Sequence, residues 1–258
     1  NVLILGLDSA QQAISRTDVI MLAHVNPQAG TVSLVSVPRD TRVHLPGIGW
    51  TKINHAHVVG ELNGGEQAGT QATVQAVSDL FQVPIHYYVK TDFTGFQGMI
   101  DEVGGIDVHL KQAVVLTDQH RTIPAGDQHL DGEMALKLAR ERYSLPDGDL
   151  GRQRHQSLIL KALIHKALQP RQLQHVPQLI SALHEDVLDT NLQDSDLISL
   201  AWLYRDLTDE QIHYQSLPGH SLYAQDPLVK AELYYWAADP QAVIEIAQEE
   251  FEQKGPPK

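Results

Sequence analysis

Cysteine is absent from the chain, which excludes a disulfide framework, thiolate nucleophiles and zinc-thiolate sites. An oxidising compartment is permitted by this absence. Basic residues are scarce: 19 Lys and Arg stand against 32 Asp and Glu, for a net charge of -13. Such a balance opposes nucleic-acid backbones unless the few cations are clustered. Long apolar runs are also missing, since stretches such as 2–5 and 19–23 fall far short of the roughly 20 residues that span a bilayer. Several catalytic signatures are lacking. Neither His55-Ala56-His57 nor His184-Glu185-Asp186 supplies the His-Glu-x-x-His pair of a zincin helix, and there is no Gly-x-Ser-x-Gly or complete P-loop. What remains is a 258-residue globular chain with 42% hydrophobic residues, enough to bury a sizeable core.

Apolar periodicity supplies an outline. Residues 2–7, 19–25 and 31–37 read as three early strands, the last two joined as a hairpin through Asn26-Pro27-Gln28-Ala29-Gly30. Residues 68–81 carry Ala72, Val74, Ala76, Val77, Leu80 and Phe81 at helical spacing, and 87–90 then reads as a strand. A helix over 93–103 stops at Gly104-Gly105, and a strand follows at 106–110. Further helices are predicted at 131–139 and 151–168, with turn chemistry in Leu145-Pro146-Asp147-Gly148 between them. Beyond Pro170 the pattern becomes mainly helical, at 176–183, 195–204 and 240–251, and the tail at Gly255-Pro256-Pro257 is expected to be loose. Helices laid on a sheet make a layered α/β protein. The expected division is a core at 1–168 and a mainly helical extension at 169–258, packed on the core as one domain. Gly47-Ile48-Gly49-Trp50 reads as a turn.

The residues with chemical promise sit at element ends. Ser36-Val37-Pro38-Arg39-Asp40-Thr41 leaves a strand, as functional groups of α/β sheets commonly do, and Lys52-Ile53-Asn54 follows. Gly6-Leu7-Asp8 and Arg16-Thr17-Asp18 place two carboxylates beside consecutive strand ends. A lone aspartate there is ordinarily a turn or cap residue. A pair of hard carboxylates suits Mg²⁺, which keeps waters and takes further ligands from phosphate. Downstream, Ala139-Arg140-Glu141-Arg142 precedes Asp149-Leu150-Gly151-Arg152-Gln153-Arg154-His155-Gln156. Arg140 and Arg142 share a face only if the helix ends near Arg140 and the backbone extends. Arg152, His155 and Gln156 line the first turns of the next helix, and guanidinium groups with a helix N-terminus both favour phosphate.

In this order, Gly-x-Asp, Arg-x-Asp, Pro-Arg-Asp-Thr, Lys-Ile-Asn, Arg-x-Arg and Asp-x-Gly-Arg resemble the LytR-CpsA-Psr family over residues 1–168. The blocks at 93–96, 101–106 and 129–136 fit the same pattern. The resemblance implies an α/β fold, a central mixed sheet packed by helices on its faces, with a hydrophobic lipid channel; Val74, Val77, Phe81, Phe96, Met99, Ile100, Leu158 and Ile159 are candidate walls. It assigns Mg²⁺ to Asp8 and Asp18. The lipid pyrophosphate falls to Arg39, Lys52, Arg140, Arg142, Arg152 and Gln156. Catalysis falls to Arg39, Arg152 and Asp149, the last orienting arginines or activating the acceptor hydroxyl. His155 stands where many members carry a second arginine, so no phosphate role passes to Arg154.

The implied activity is Mg²⁺-dependent transfer of a phosphoryl-linked glycan from a polyprenyl pyrophosphate to a cell-wall acceptor such as peptidoglycan. Its implied setting is the extracytoplasmic face of a bacterial membrane, with an anchor absent from this chain, which begins at Asn1 without an initiator Met. No nucleic acid is expected. Competing readings are a pyrophosphatase on the same lipid and a non-catalytic lipid carrier. A transcriptional regulator fits least, for the charge is wrong and no helix-turn-helix pattern is present.

Overall fold

The computed structural model describes residues 1–8, 16–117, 121–146, 148–169, 172, 180–181 and 184–251. Asp147, the tail and most of the helix expected at 176–183 lie outside the described residues. Contacts divide the chain into two compact units. The first comprises Asn1–Val25, Ser33–Lys90 and Gln215–Lys258, the second Asn26–Val32 and Thr91–Tyr214. The first unit takes both the start and the end of the chain, and residue 168 falls within the second.

In the first unit, β1 (Val2–Leu7), β2 (Thr17–Asn26), β3 (Thr31–Ser36) and β6 (Tyr87–Thr91) lie in the order β6-β1-β2-β3. Alternation in β1 buries Leu3, Leu5 and Leu7, as a period of two requires. A short ribbon, β4 (Arg42–Leu45) with β5 (Gly49–Lys52), is followed by helices α1 (His55–Gly64) and α2 (Glu66–Phe81). The two helices approach closely because small residues face each other: a Cβ on Gly60 would stand 2.4 Å from the Ala68 carbonyl oxygen and 2.8 Å from the Ala72 Cβ. Leu3, Leu5, Ile20, Val35, Val77 and Phe81 belong to one core with Phe251, whose ring meets Phe81 edge-on at 5.6 Å. Each such side chain contributes about 1.5–3 kcal/mol on burial.

In the second unit, α3 (Phe93–Glu102) precedes β7 (Ile106–Leu110), then β8 (Val114–Leu116), β9 (Arg121–Ile123) and β10 (Gly126–Leu130). β7 pairs antiparallel with β10 and β8 with β9. Ile106, Val108 and Leu110 point inward, while His109 with Asp127 and His129 with Asp107 pair across the outer face at 2.6 and 2.7 Å. Helices α4 (Gly132–Arg140) and α5 (Asp149–Ala167) cover the ribbon. Asp92 and Asp131 cap α3 and α4 through bonds from Gly95 N and Met134 N, satisfying donors the helices cannot. The two-residue strand β11 (Asp189–Thr190) and helix α6 (Asp194–Leu203) lie further along this unit.

Beyond residue 168 the described residues also include strands that the periodicity did not show: β12 (Ile212–Ser216), β13 (Gly219–Gln225) and β14 (Glu232–Ala238) precede the short helix α7 (Pro240–Ile246). These strands hide from period counting because β13 and β14 carry mostly part-exposed residues, so neither has a clean apolar stripe. Of the candidate channel walls, Val77 and Phe81 belong to the first core and Ile100 and Ile159 to the second, each at most 2% exposed. Ala72 faces Gly60 of α1.

Candidate active site

In the first unit the carboxylates and Arg39 are set by strand irregularity. β1 and β2 are antiparallel with Gly6 opposite Val19 and Leu7 opposite Thr17, so Asp18 is the extra residue of a bulge, a device that re-aims a side chain. Its Oδ1 accepts a bond from Arg39 Nη1 at 2.7 Å. Across the strand pair, Asp8 N bonds to Arg16 O at 3.2 Å and Asp8 Oδ1 accepts from Arg16 N at 3.3 Å, fixing Asp8 where β1 leaves the sheet. Lys52 Nζ lies 2.6 Å from Asp40 Oδ1, and Arg39 Nε lies 3.9 Å from Asp40 Oδ2. Charge thus alternates along Asp18, Arg39, Asp40 and Lys52.

Backbone bonds strap the Arg39 loop on several sides. Thr41 N and Oγ1 both donate to Pro38 O, at 2.9 and 2.6 Å. Asn54 N donates to Arg39 O at 3.2 Å, Ile53 N to Thr41 O at 2.8 Å and Trp236 N to Asp40 O at 2.9 Å. The pairing of Pro-Arg-Asp-Thr with Lys-Ile-Asn in the sequence has its cause here, since the second segment holds the first. The contribution of Trp236 had no sequence signal. Nor did that of Asp226, 1% exposed, whose carboxylate accepts from Tyr235 OH at 2.6 Å, Thr51 Oγ1 at 2.8 Å and the backbone N of Leu228 and Val229 at 2.9 and 2.8 Å. Burial opposes its ionisation, but these donors outweigh burial and hold the carboxyl at about 2. Burial and the neighbouring Asp226 push the Tyr235 hydroxyl well above the usual range. Burial lowers His55, against the pull of Asp226.

In the second unit, α4 ends at Arg140 and Glu141 is extended, with φ -66° and ψ 128°, the break that a two-residue arginine spacing calls for. Glu141, which sequence reasoning passed over, pins this stretch. Its carboxylate accepts from Thr117 N and Oγ1, both at 2.8 Å, and from Ser144 N at 3.0 Å. Burial raises its pKa, yet the Thr117 and Ser144 bonds prevail and keep it below the ordinary glutamate range. The Arg140 guanidinium lies over the Phe93 ring at 4.5 Å, and Arg142 Nη2 donates to Tyr143 OH at 2.7 Å.

Asp149 opens α5 and orients two side chains of its first turns: Arg152 Nη2 reaches its Oδ1 at 2.7 Å and Gln153 Nε2 its Oδ2 at 3.0 Å. Gln156 turns to the protein, donating from Nε2 to Ala139 O at 3.1 Å; this ties α5 to the last turn of α4 just before Arg140. Arg154 is exposed.

Among the described residues no group of three or more histidine, aspartate or glutamate side chains could hold a metal. A pair of carboxylates, Asp8 and Asp18, is nevertheless the number that Mg²⁺ commonly takes from protein, with water and phosphate completing its octahedron. The donor chemistry fits.

Strand-end carboxylates beside a strapped arginine, in an α/β unit, are groups whose chemistry suits phosphate and its counter-ions. The LytR_cpsA_psr family model matches residues 1–252, and the chain belongs to that family. The match runs well past residue 168, consistent with the C-terminal strands that support Asp40. The polyisoprenyl-teichoic acid–peptidoglycan teichoic acid transferase TagU of Bacillus anthracis is 31% identical over 240 residues, covering 93% of this chain and 74% of that protein. The crystal structure of B. subtilis TagV superposes with a TM-score of 0.81 at 32% identity, over 96% of this chain and 93% of TagV. A structure of the family protein YwtF (TagT) with bound octaprenyl pyrophosphate lipid gives 0.71 at 27% identity, over 96% of this chain and 87% of TagT.

Proposed function

We propose that this chain transfers a phosphoryl-linked glycopolymer from a polyprenyl pyrophosphate carrier to a hydroxyl of a cell-wall acceptor such as peptidoglycan, on the outer face of a bacterial membrane to which an anchor outside this chain holds it. The observation that carries the reading is the Asp18–Arg39 pair on a bulged strand end beside Asp8, in a chain of the same family as TagU and TagT. The acceptor hydroxyl oxygen attacks the glycan-bearing phosphorus, the bond to the bridging oxygen breaks, and polyprenyl phosphate leaves with the displaced electron pair and takes up the hydroxyl proton. Arg39 and Lys52 offset the charge that develops on phosphoryl oxygens, and the resemblance assigns Arg140, Arg142 and Arg152 to the same task. Such preorganised cations supply most of the transition-state stabilisation in phosphoryl transfer. Mg²⁺ held by Asp8 and Asp18 would add Lewis-acid polarisation. Asp149 keeps Arg152 in place, and Gln156 acts on Arg140 through the α4 terminus.

The test incubates the purified chain with a polyprenyl-pyrophosphate-linked glycan, with and without peptidoglycan, in Mg²⁺ or EDTA. Glycan joined to peptidoglycan only in Mg²⁺, and lost in Arg39→Ala, is expected. Hydrolysis that ignores the acceptor would make the chain a pyrophosphatase. Tight lipid retention without turnover would make it a carrier.

A further inference from the structure

The ribbon formed by β4 and β5 has two unlike faces. Register sets Arg42 opposite Lys52 and His44 opposite Trp50, while Val43 and Thr51 fall on the other side, where both are buried. Gly47, at φ 77°, and Gly49, at φ 102°, make the turn between the strands, where a side chain would be strained. Arg42, His44, Trp50 and Lys52 consequently share one face. Trp50 is 52% exposed, and His44 meets it edge-on at 5.6 Å.

Arg42 is the unusual member. Its guanidinium lies over two rings, 5.1 Å from Trp50 and 5.7 Å from Tyr235, and Tyr235 is itself fixed by Asp226. The Arg42 guanidinium makes no hydrogen bond or ion pair with the described residues, and its Nε is buried without an acceptor among them. Stacking engages the π face of a guanidinium and leaves its in-plane N–H groups directed away, the geometry that grips two oxygens of a phosphate. A buried guanidinium Nε with no acceptor among the described residues, in a chain of net charge -13, is costly unless a ligand supplies one.

We infer that this face is a subsite for a sugar-phosphate unit of the transferred glycan, Arg42 taking phosphoryl oxygens and Trp50 packing against the attached saccharide ring. The inference rests on the proposed transferase reading, because Lys52 joins this face to the Arg39 loop through Asp40. Lys52 and Trp50 are two residues apart on one strand, roughly 7 Å, about the length of one saccharide unit. Neither Arg42 nor Trp50 belongs to the motifs that carry the family resemblance.

Calorimetric titration of the whole chain with glucosamine 1-phosphate, inorganic phosphate and farnesyl pyrophosphate tests this. The sugar phosphate should bind at least about tenfold tighter than inorganic phosphate, and Arg42→Lys and Trp50→Ala should each weaken it about tenfold, with farnesyl pyrophosphate changed less than about twofold. Unchanged sugar-phosphate affinity in both folded variants overturns the subsite, as does an equal loss for farnesyl pyrophosphate. Should Arg42→Lys fail to fold, Trp50→Ala, at an exposed position, decides alone. Farnesyl pyrophosphate failing to bind the unmodified chain would count against the transferase reading, leaving the sugar-phosphate result to stand or fall separately.

Discussion

Replacing Asp226 by Asn tests the buried support beneath Lys52 and Arg42. The carboxylate accepts four hydrogen bonds and its pKa stands at about 2 against an ordinary 3.8. Each pKa unit corresponds to about 1.36 kcal/mol, so ionised Asp226 contributes roughly 2 kcal/mol to stability at neutral pH. An amide keeps one acceptor for the Leu228 and Val229 N–H groups but turns an NH₂ toward the Tyr235 and Thr51 hydroxyls. A loss of about 2–3 kcal/mol at pH 7 is expected. Because the folded pKa lies below the unfolded one, the contribution is complete above about pH 4 and fades as pH falls through 2, with about half gone by pH 3. Urea unfolding in a Trp202→Phe background, read by the fluorescence of Trp50 and Trp236, should show a gap between parent and Asp226→Asn that narrows by about 1 kcal/mol from pH 7 to pH 3. A gap under about 0.5 kcal/mol at pH 7, or one that does not change with pH, would refute this account.

Asp8→Ala should abolish Mg²⁺-dependent transfer while leaving the circular dichroism spectrum and melting temperature near those of the parent, because among the described residues Asp8 hydrogen-bonds only the Arg16 backbone; retained Mg²⁺ dependence would remove Asp8 from the metal site. Glu141→Ala should free the extended stretch carrying Arg140 and Arg142 and weaken prenyl pyrophosphate binding about tenfold, most at low salt, in a titration at several ionic strengths. Equal affinity would show that the Thr117 and Ser144 bonds do not govern those arginines. Gly60→Ala places a methyl 2.4 Å from the Ala68 carbonyl, so α1 and α2 must part; thermal unfolding should reveal a cost of about 1–3 kcal/mol.

Much of the chemistry was legible in order and spacing. The strand-end aspartates, the Pro-Arg-Asp-Thr loop with its Lys-Ile-Asn strap, and the helix break at Arg140 all arise from short-range rules: strand alternation, turn residues and the 3.6-residue helical period. Helices α2 and α3 and strands β1 to β3 were visible for the same reason, since each carries its own apolar stripe. Period counting failed where burial is set by distant neighbours. Strands β13 and β14, with mostly part-exposed residues, gave no pattern, and the aromatic run at 234–236 matched neither period. No local signal joins Thr51 to Asp226, 175 positions away, or Trp236 to the Asp40 carbonyl. Only the tertiary structure decided that Gln156 bonds to the α4 terminus and that Arg42 lies over two rings with no acceptor for its Nε among the described residues. Sequence alone determined which charged groups are available and which elements carry them; the fold decided which of those groups already have partners, because a hydrogen bond or an ion pair depends on ångström-scale placement that composition does not encode.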